Sequence, residues 1–312
     1  MTSAPSPSLS IQLQNFSAKP RSDWSPMLDL ARAADRAGID RVVVSDHVVF
    51  GEQLEAYANP ATGGTEGGRQ PTGPDGLWLE PLTVLTTIAA TTTRVRLATG
   101  ILIAALRRPA VLAKQVATLD VLSGGRVDLG VGVGWQREEY EACGLDFDRR
   151  GRLLDQTIEV CRRLWSEQAV DFDDGDLRFE RIHAMPEPVQ EGGVPIWVAG
   201  RINAPTLRRL GAYGSGWIPW GEHVTDPAEG IVAARRAVEE GGRDPASLQV
   251  QGTLVVVADE DGIDLSATMA KVPELVEVGV TDFRIRHRWT NDLARDEAAL
   301  TELAAAFRAT TG

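Results

Sequence analysis

The sequence predicts an α/β fold, a (β/α)8 (TIM) barrel with insertions in the loops on its carboxyl face. Strand-like and helix-like segments alternate from one end to the other, and eight such pairs fit within 312 residues. A doubly wound open sheet is the competing arrangement, and it would carry a glycine fingerprint directly after its first strand. Here the first strand runs into Asn15-Phe16-Ser17, with no glycine.

Leu9 to Gln14 reads as the first strand, and Trp24 to Ala37 as a helix stopped by Gly38. Arg41 to Ser45 is the second strand, because Val42-Val43-Val44 is a β-branched run suited to burial on both faces. Pro81 to Thr92 opens with a proline, which suits a first helical turn, and Val95 to Thr99 follows as the third strand. Pro109 to Leu122 is a helix closed by Gly124-Gly125, Arg126 to Gly132 the fourth strand, and Arg149 to Trp165 a long helix. Strands recur at Pro195 to Val198, Gly216 to Ile218, Leu248 to Val257 and Asp282 to Arg286. Helices at Asn203 to Tyr213, Pro227 to Glu240, Leu265 to Val278 and Asp292 to Ala309 separate or follow them.

Two connections exceed the usual few residues. One spans 46–80 and is rich in glycine and proline; the other spans 134–193 and carries the long helix and a hairpin from Val170 to Glu180. Both leave the carboxyl ends of strands, so both are expected over that face as a lid or pocket wall. Residues 1–8 are expected to form a disordered lead-in, and 9–312 a single barrel domain.

Apolar residues make up 43% of the chain and charged residues 24%, values that allow a sizeable core. The net charge of −12 opposes a nucleic-acid or anionic-membrane partner. Cys143 and Cys161 lack metal-type spacing, so neither a disulfide framework nor a metal site is expected, and a reducing cytoplasm fits.

Asp46-His47 ends a buried strand, where a parallel barrel presents its polar groups to a ligand; the plain alternative is a turn capped by Asp46 with a solvated His47. Gly130, Gly132 and Gly134 sit on the fourth strand and its exit, and glycine there often marks close approach of backbone or ligand. Ala199-Gly200-Arg201 precedes a helix starting at Asn203, where N–H groups, the helix dipole and a guanidinium suit an anion. Arg107-Arg108 before Pro109 makes a second basic helix start; each arginine taken singly also reads as solvated surface.

Ser45-Asp46-His47-Val48 resembles the luciferase-like monooxygenase family, notably its members that use the deazaflavin coenzyme F-420. The block from Leu97 to Gly134-Trp135 also matches, as do Val194 to Gly200 and Gly214-Ser215-Gly216-Trp217. The resemblance implies hydride transfer between F-420 and a small organic substrate, with a reduced-FMN monooxygenase and a non-catalytic flavin-binding barrel as alternatives. It also implies a homodimer formed through barrel helices. His47 becomes the catalytic residue, near the reacting carbon. Asp46, Thr99, Gly100, Ile101, Val133, Gly134, Ala199, Gly200 and Arg201 become cofactor-binding residues, with a non-prolyl cis peptide at Gly100-Ile101. The family's sugar-phosphate dehydrogenases carry an acid directly after the strand-four glycines, and Trp135 stands there instead. That points to an apolar or aromatic substrate, with Trp135 and Trp78 as pocket wall.

Overall fold

The computed structural model describes residues 6–258, 262–287, 289–290 and 292–312. Eight parallel strands close into a barrel: β1 (Ser8–Gln12), β2 (Arg41–Val44), β3 (Arg96–Thr99), β4 (Val127–Val131), β5 (Ile196–Gly200), β6 (Gly216–Pro219), β7 (Gln249–Val255) and β8 (Asp282–Arg286). Each pairs with its successor in sequence, and β8 returns to β1, with Ser8 opposite Asp282. The eight expected strands are all present, with ends shifted by a residue or two. Val42, Val43 and Val44 have no exposed surface, because barrel filling covers one face of β2 and helices cover the other.

The outer layer comprises α1 (Ser25–Ala37), α2 (Pro81–Ala89), α3 (Pro109–Ser123), α4 (Arg150–Ser166), α5 (Ala204–Tyr213), α6 (Ala228–Glu240), α7 (Val272–Val278) and α8 (Leu293–Thr311). The helix expected over Leu265 to Val278 is broken: Leu265–Met269 is a separate short helix, and α7 restarts with Pro273 in its first turn. A proline lacks the N–H of the helical ladder and clashes with the preceding turn, so it begins α7 rather than crossing it. No helix among the described residues is long and apolar enough to cross a membrane.

Residues 1–5 of the expected lead-in lie outside the described residues, whereas Ser8 is already in β1, held by the Asp282 carboxylate at 3.0 Å. The second insertion divides. Its first part, 134–149, lies over the barrel mouth. The hairpin formed by Val170–Asp173 and Arg178–Ile182 buries Val170 and Phe172 in the core, and its turn is tied to Arg149, Arg152 and Gln156 at the start of α4.

Side chains alternate across β8. Phe283 faces outward and meets Phe307 of α8 at 5.2 Å, so Asp282, Arg284 and Arg286 face the lumen. At the lumen floor Arg41 bridges Asp128, at 2.9 Å, and Asp282. Arg96 adds a second cation to Asp128 at 2.7 Å. These buried charges are paired and hydrogen-bonded, the condition under which a barrel interior tolerates them.

Candidate active site

The exit of β2 is fixed by Asn15, which is fully buried. Its amide donates to the carbonyls of Ser45 (2.8 Å) and Leu79 (2.9 Å) and accepts from the Ser45 N–H (3.0 Å). The chain leaving β2 therefore has one path, and Asp46 and His47 diverge along it.

Asp46 turns inward. Its carboxylate accepts the Ile103 N–H at 2.8 Å and takes both ends of the Arg107 guanidinium, one of them at 2.9 Å. Burial pushes the Asp46 carboxyl up from its ordinary range, against the pull of Arg107 and of the Ile103 amide. Both oxygens are thus engaged by the turn that follows β3, and Asp46 fastens that turn. Arg107, expected as a cation for a cofactor anion, is instead held by Asp46 and, at 3.3 Å, by Glu80. Two acids within the fold meet its charge.

His47 points the other way. Its Nδ1 lies 3.3 Å from Oε2 of Glu139, and Oε1 of Glu139 accepts the Val48 N–H at 2.6 Å. A carboxylate only accepts, so the imidazole donates Nδ1–H and keeps Nε2 as its acceptor nitrogen. Glu139 has no exposed surface and lies on the short helix Arg137–Ala142. That helix is tied to the β4 exit by Tyr140, whose hydroxyl donates to the Val133 carbonyl at 2.6 Å. Gln136 and Gly51 exchange two hydrogen bonds, each of 3.2 Å, which clamps the His47 loop to the same segment.

Beside this loop, β3 ends in a bulge. Ala98 pairs with Asp128 and Leu102 with Val131, so four steps along β3 match three along β4. The extra length is looped out at Gly100-Ile101, whose peptide is cis. Thr99 is buried and donates its hydroxyl to the Gly130 carbonyl at 2.7 Å, so it anchors the bulge from behind. Opposite lies the Gly132-Val133-Gly134 turn. Gly134 has φ +68°, and a Cβ there would come within 3.2 Å of Ile103; one on Gly132 would come within 2.9 Å of Ile101. Side chains at these positions would fill the space against the bulge.

Across the mouth, Gly200 has φ +150°, and Asn203 caps α5 by accepting the Thr206 N–H at 3.0 Å. Arg201 stands at this helix start. Its Nε is buried with no hydrogen-bond partner among the described residues, and the nearest acid, Glu222, is 3.9 Å from Nη1. A guanidinium with a free Nε and only a long contact to Glu222, beside a helix N-terminus, fits an anionic group such as a cofactor phosphate.

An aromatic wall faces His47. Phe50 lies at 4.4 Å, Trp78 at 4.8 Å edge-on and Trp135 at 5.9 Å edge-on. Phe16 stacks behind Trp78 at 4.4 Å, and Tyr57 bridges Trp135 and Trp220. Trp135 is 5% exposed, and its indole N–H has no partner among the described residues. Of the residues the sequence singled out, His47, Gly100, Ile101, Val133, Gly134, Trp78 and Trp135 converge on one side of the mouth. Ala199, Gly200 and Arg201 line another. Glu139, Phe50 and Tyr57 escaped the sequence reading. A groove of about 610 Å³ between α4 and α5 lies away from the mouth, and its facing charges, such as Asp155 with Arg208 and Arg209, pair with one another.

The fold is that of a (β/α)8-barrel protein whose mouth brings together an oriented imidazole, a backbone bulge and a helix start that carries an arginine. The family model for luciferase-like monooxygenases matches residues 8–306, and the chain belongs to that family. An uncharacterized protein of Mycobacterium tuberculosis is 30% identical over 269 residues, which cover 85% of this chain and 88% of that one. The F-420-dependent glucose-6-phosphate dehydrogenase of Nocardia farcinica is 32% identical over 228 residues, covering 68% of this chain and 61% of that enzyme. The structure of an F-420-dependent secondary alcohol dehydrogenase, solved with an F-420–acetone adduct, superposes with a TM-score of 0.73 at 17% identity, over 97% of this chain and 99% of that one.

Proposed function

We propose that the protein transfers hydride between coenzyme F-420 and a small apolar or aromatic organic substrate. The observation that carries this reading is the one-residue bulge at Gly100-Ile101, set between the strand that delivers His47 and the glycine turn. It offers bare backbone where a flat ring can lie, and relatives named for F-420 share the family. When bound, the deazaflavin supplies the carbon that gives or takes hydride.

The chain supplies the rest. Gly100, Ile101, Val133 and Gly134 hold the ring by backbone contact, with Thr99 and Asp46 fixing the two turns from behind. Ala199, Gly200 and Arg201 take the anionic tail. His47, oriented through Nδ1 by Glu139, holds or accepts a proton at Nε2. Trp135, Trp78 and Phe50 exclude water and favour an apolar substrate over a sugar phosphate. The reading places the protein in the cytoplasm as a homodimer, in which exposed Val111 and Leu122 of α3 would be covered.

Reduced F-420 offered with a panel of aromatic and aliphatic carbonyl and alkene compounds tests the proposal. Turnover without dioxygen is expected, falling by roughly 10²- to 10⁴-fold in His47→Ala while F-420 still binds. Turnover that requires FMN and dioxygen would establish the monooxygenase alternative. Cofactor binding with no turnover across the panel would favour a non-catalytic barrel.

A further inference from the structure

One lumen-facing cation has no role in the site as described. Arg284 follows Asp282 on the inner face of β8, whereas Phe283 and Ile285 fill the outer face. Its guanidinium reaches the bulge: a Cβ built on Gly100 would lie 2.9 Å from its Nη1 and 3.2 Å from its Nη2. Its Nε is buried, and the arginine makes no hydrogen bond or ion pair among the described residues.

The acids one layer below are already engaged. Asp282 receives Ser8, Ser10 and Arg41, and Asp128 receives Arg41 and Arg96. Burial brings the Arg284 pKa down to about 10, with Arg41 adding to the shift and Asp282 opposing it. A buried cation left unpaired costs stability, and such costs persist where a ligand recovers them.

We propose that Arg284 is an anion-receiving group under the active-site platform, taking an anionic oxygen of the molecule that lies against Gly100-Ile101. The oxygen belongs either to the ring of the cofactor or to a carboxylate on the substrate. The first source rests on the cofactor reading above, and the second does not.

The test compares wild type with Arg284→Met and Arg284→Lys, using F-420 and benzoate as probes. Cofactor-free Arg284→Met should melt at the same temperature as wild type or higher, because an unpaired buried charge is gone. At least one probe should bind tenfold or more weakly to Arg284→Met, with Arg284→Lys intermediate. Loss confined to F-420 assigns the oxygen to the cofactor ring, and loss confined to benzoate assigns it to the substrate. Wild-type protein that binds benzoate but not F-420 overturns the cofactor reading and leaves the benzoate arm to decide Arg284. Unchanged affinity for both probes, or a lower melting temperature that Arg284→Lys restores without a binding effect, overturns the proposal.

Discussion

Glu139 and His47 stand 92 residues apart in sequence, yet the carboxylate meets the imidazole at 3.3 Å and the next backbone amide at 2.6 Å. One buried acid therefore sets both the ring and the loop that carries it. In Glu139→Gln the acceptor for the Val48 amide survives, but the charge that orients and stabilises the imidazolium is lost. Steady-state kinetics should show kcat lower by about tenfold or more, KM for substrate changed little, and the pH profile of kcat displaced. An unchanged pH profile would reduce Glu139 to a structural support.

The Asp46–Arg107 pair makes a stability prediction. The Asp46 side chain is completely covered and Arg107 is its principal partner, so Arg107→Ala leaves a buried carboxylate with only the Ile103 amide. Breaking a buried pair by removing one member costs about 3–5 kcal/mol. Denaturant unfolding of Arg107→Ala should show a loss of that order, with a smaller loss when Asp46→Asn is added. A loss of under about 1 kcal/mol, the range of an exposed pair, would contradict the role given to this contact.

Asp128 contributes to the acid limb. Burial raises its carboxyl, but Arg41 and Arg96 more than offset this and hold the pKa below its ordinary 3.8. A folded-state pKa below the unfolded one adds stability that is fully present above pH 3.8 and is lost as pH falls through the folded value. Melting temperatures of wild type and Asp128→Asn should differ by a constant amount near neutral pH. That gap should narrow only below about pH 4. A gap that closes between pH 5 and 7 would implicate another group.

The barrel and half of the site were legible from local pattern. Val42-Val43-Val44 announces a fully buried strand, and the strand order places Asp46 and His47 at its carboxyl end. The glycines at the β4 exit mark their turn because Gly134 sits at φ +68° and a Cβ at Gly132 or Gly134 would crowd Ile101 and Ile103. Glu139 was not legible: Arg137-Glu138-Glu139 reads as a solvated helix start, and only the closed barrel brings it to His47. Arg107 reads as an open cation because the sequence does not show Asp46 folding back onto it across 61 residues. The helix break at Pro273 was readable in principle, but the apolar pattern on both sides of it hid the interruption. The Glu139 and Arg107 misses concern contacts between distant segments, which local spacing does not encode.

In the proposed function the Gly100-Ile101 platform and the Arg201 helix start together hold a deazaflavin. Equilibrium binding of purified protein to F-420 and, separately, to FMN tests it most directly. Saturable micromolar or tighter binding of F-420 is expected, weakened by Arg201→Ala and preserved in His47→Ala. Micromolar binding of FMN with none of F-420 would contradict it.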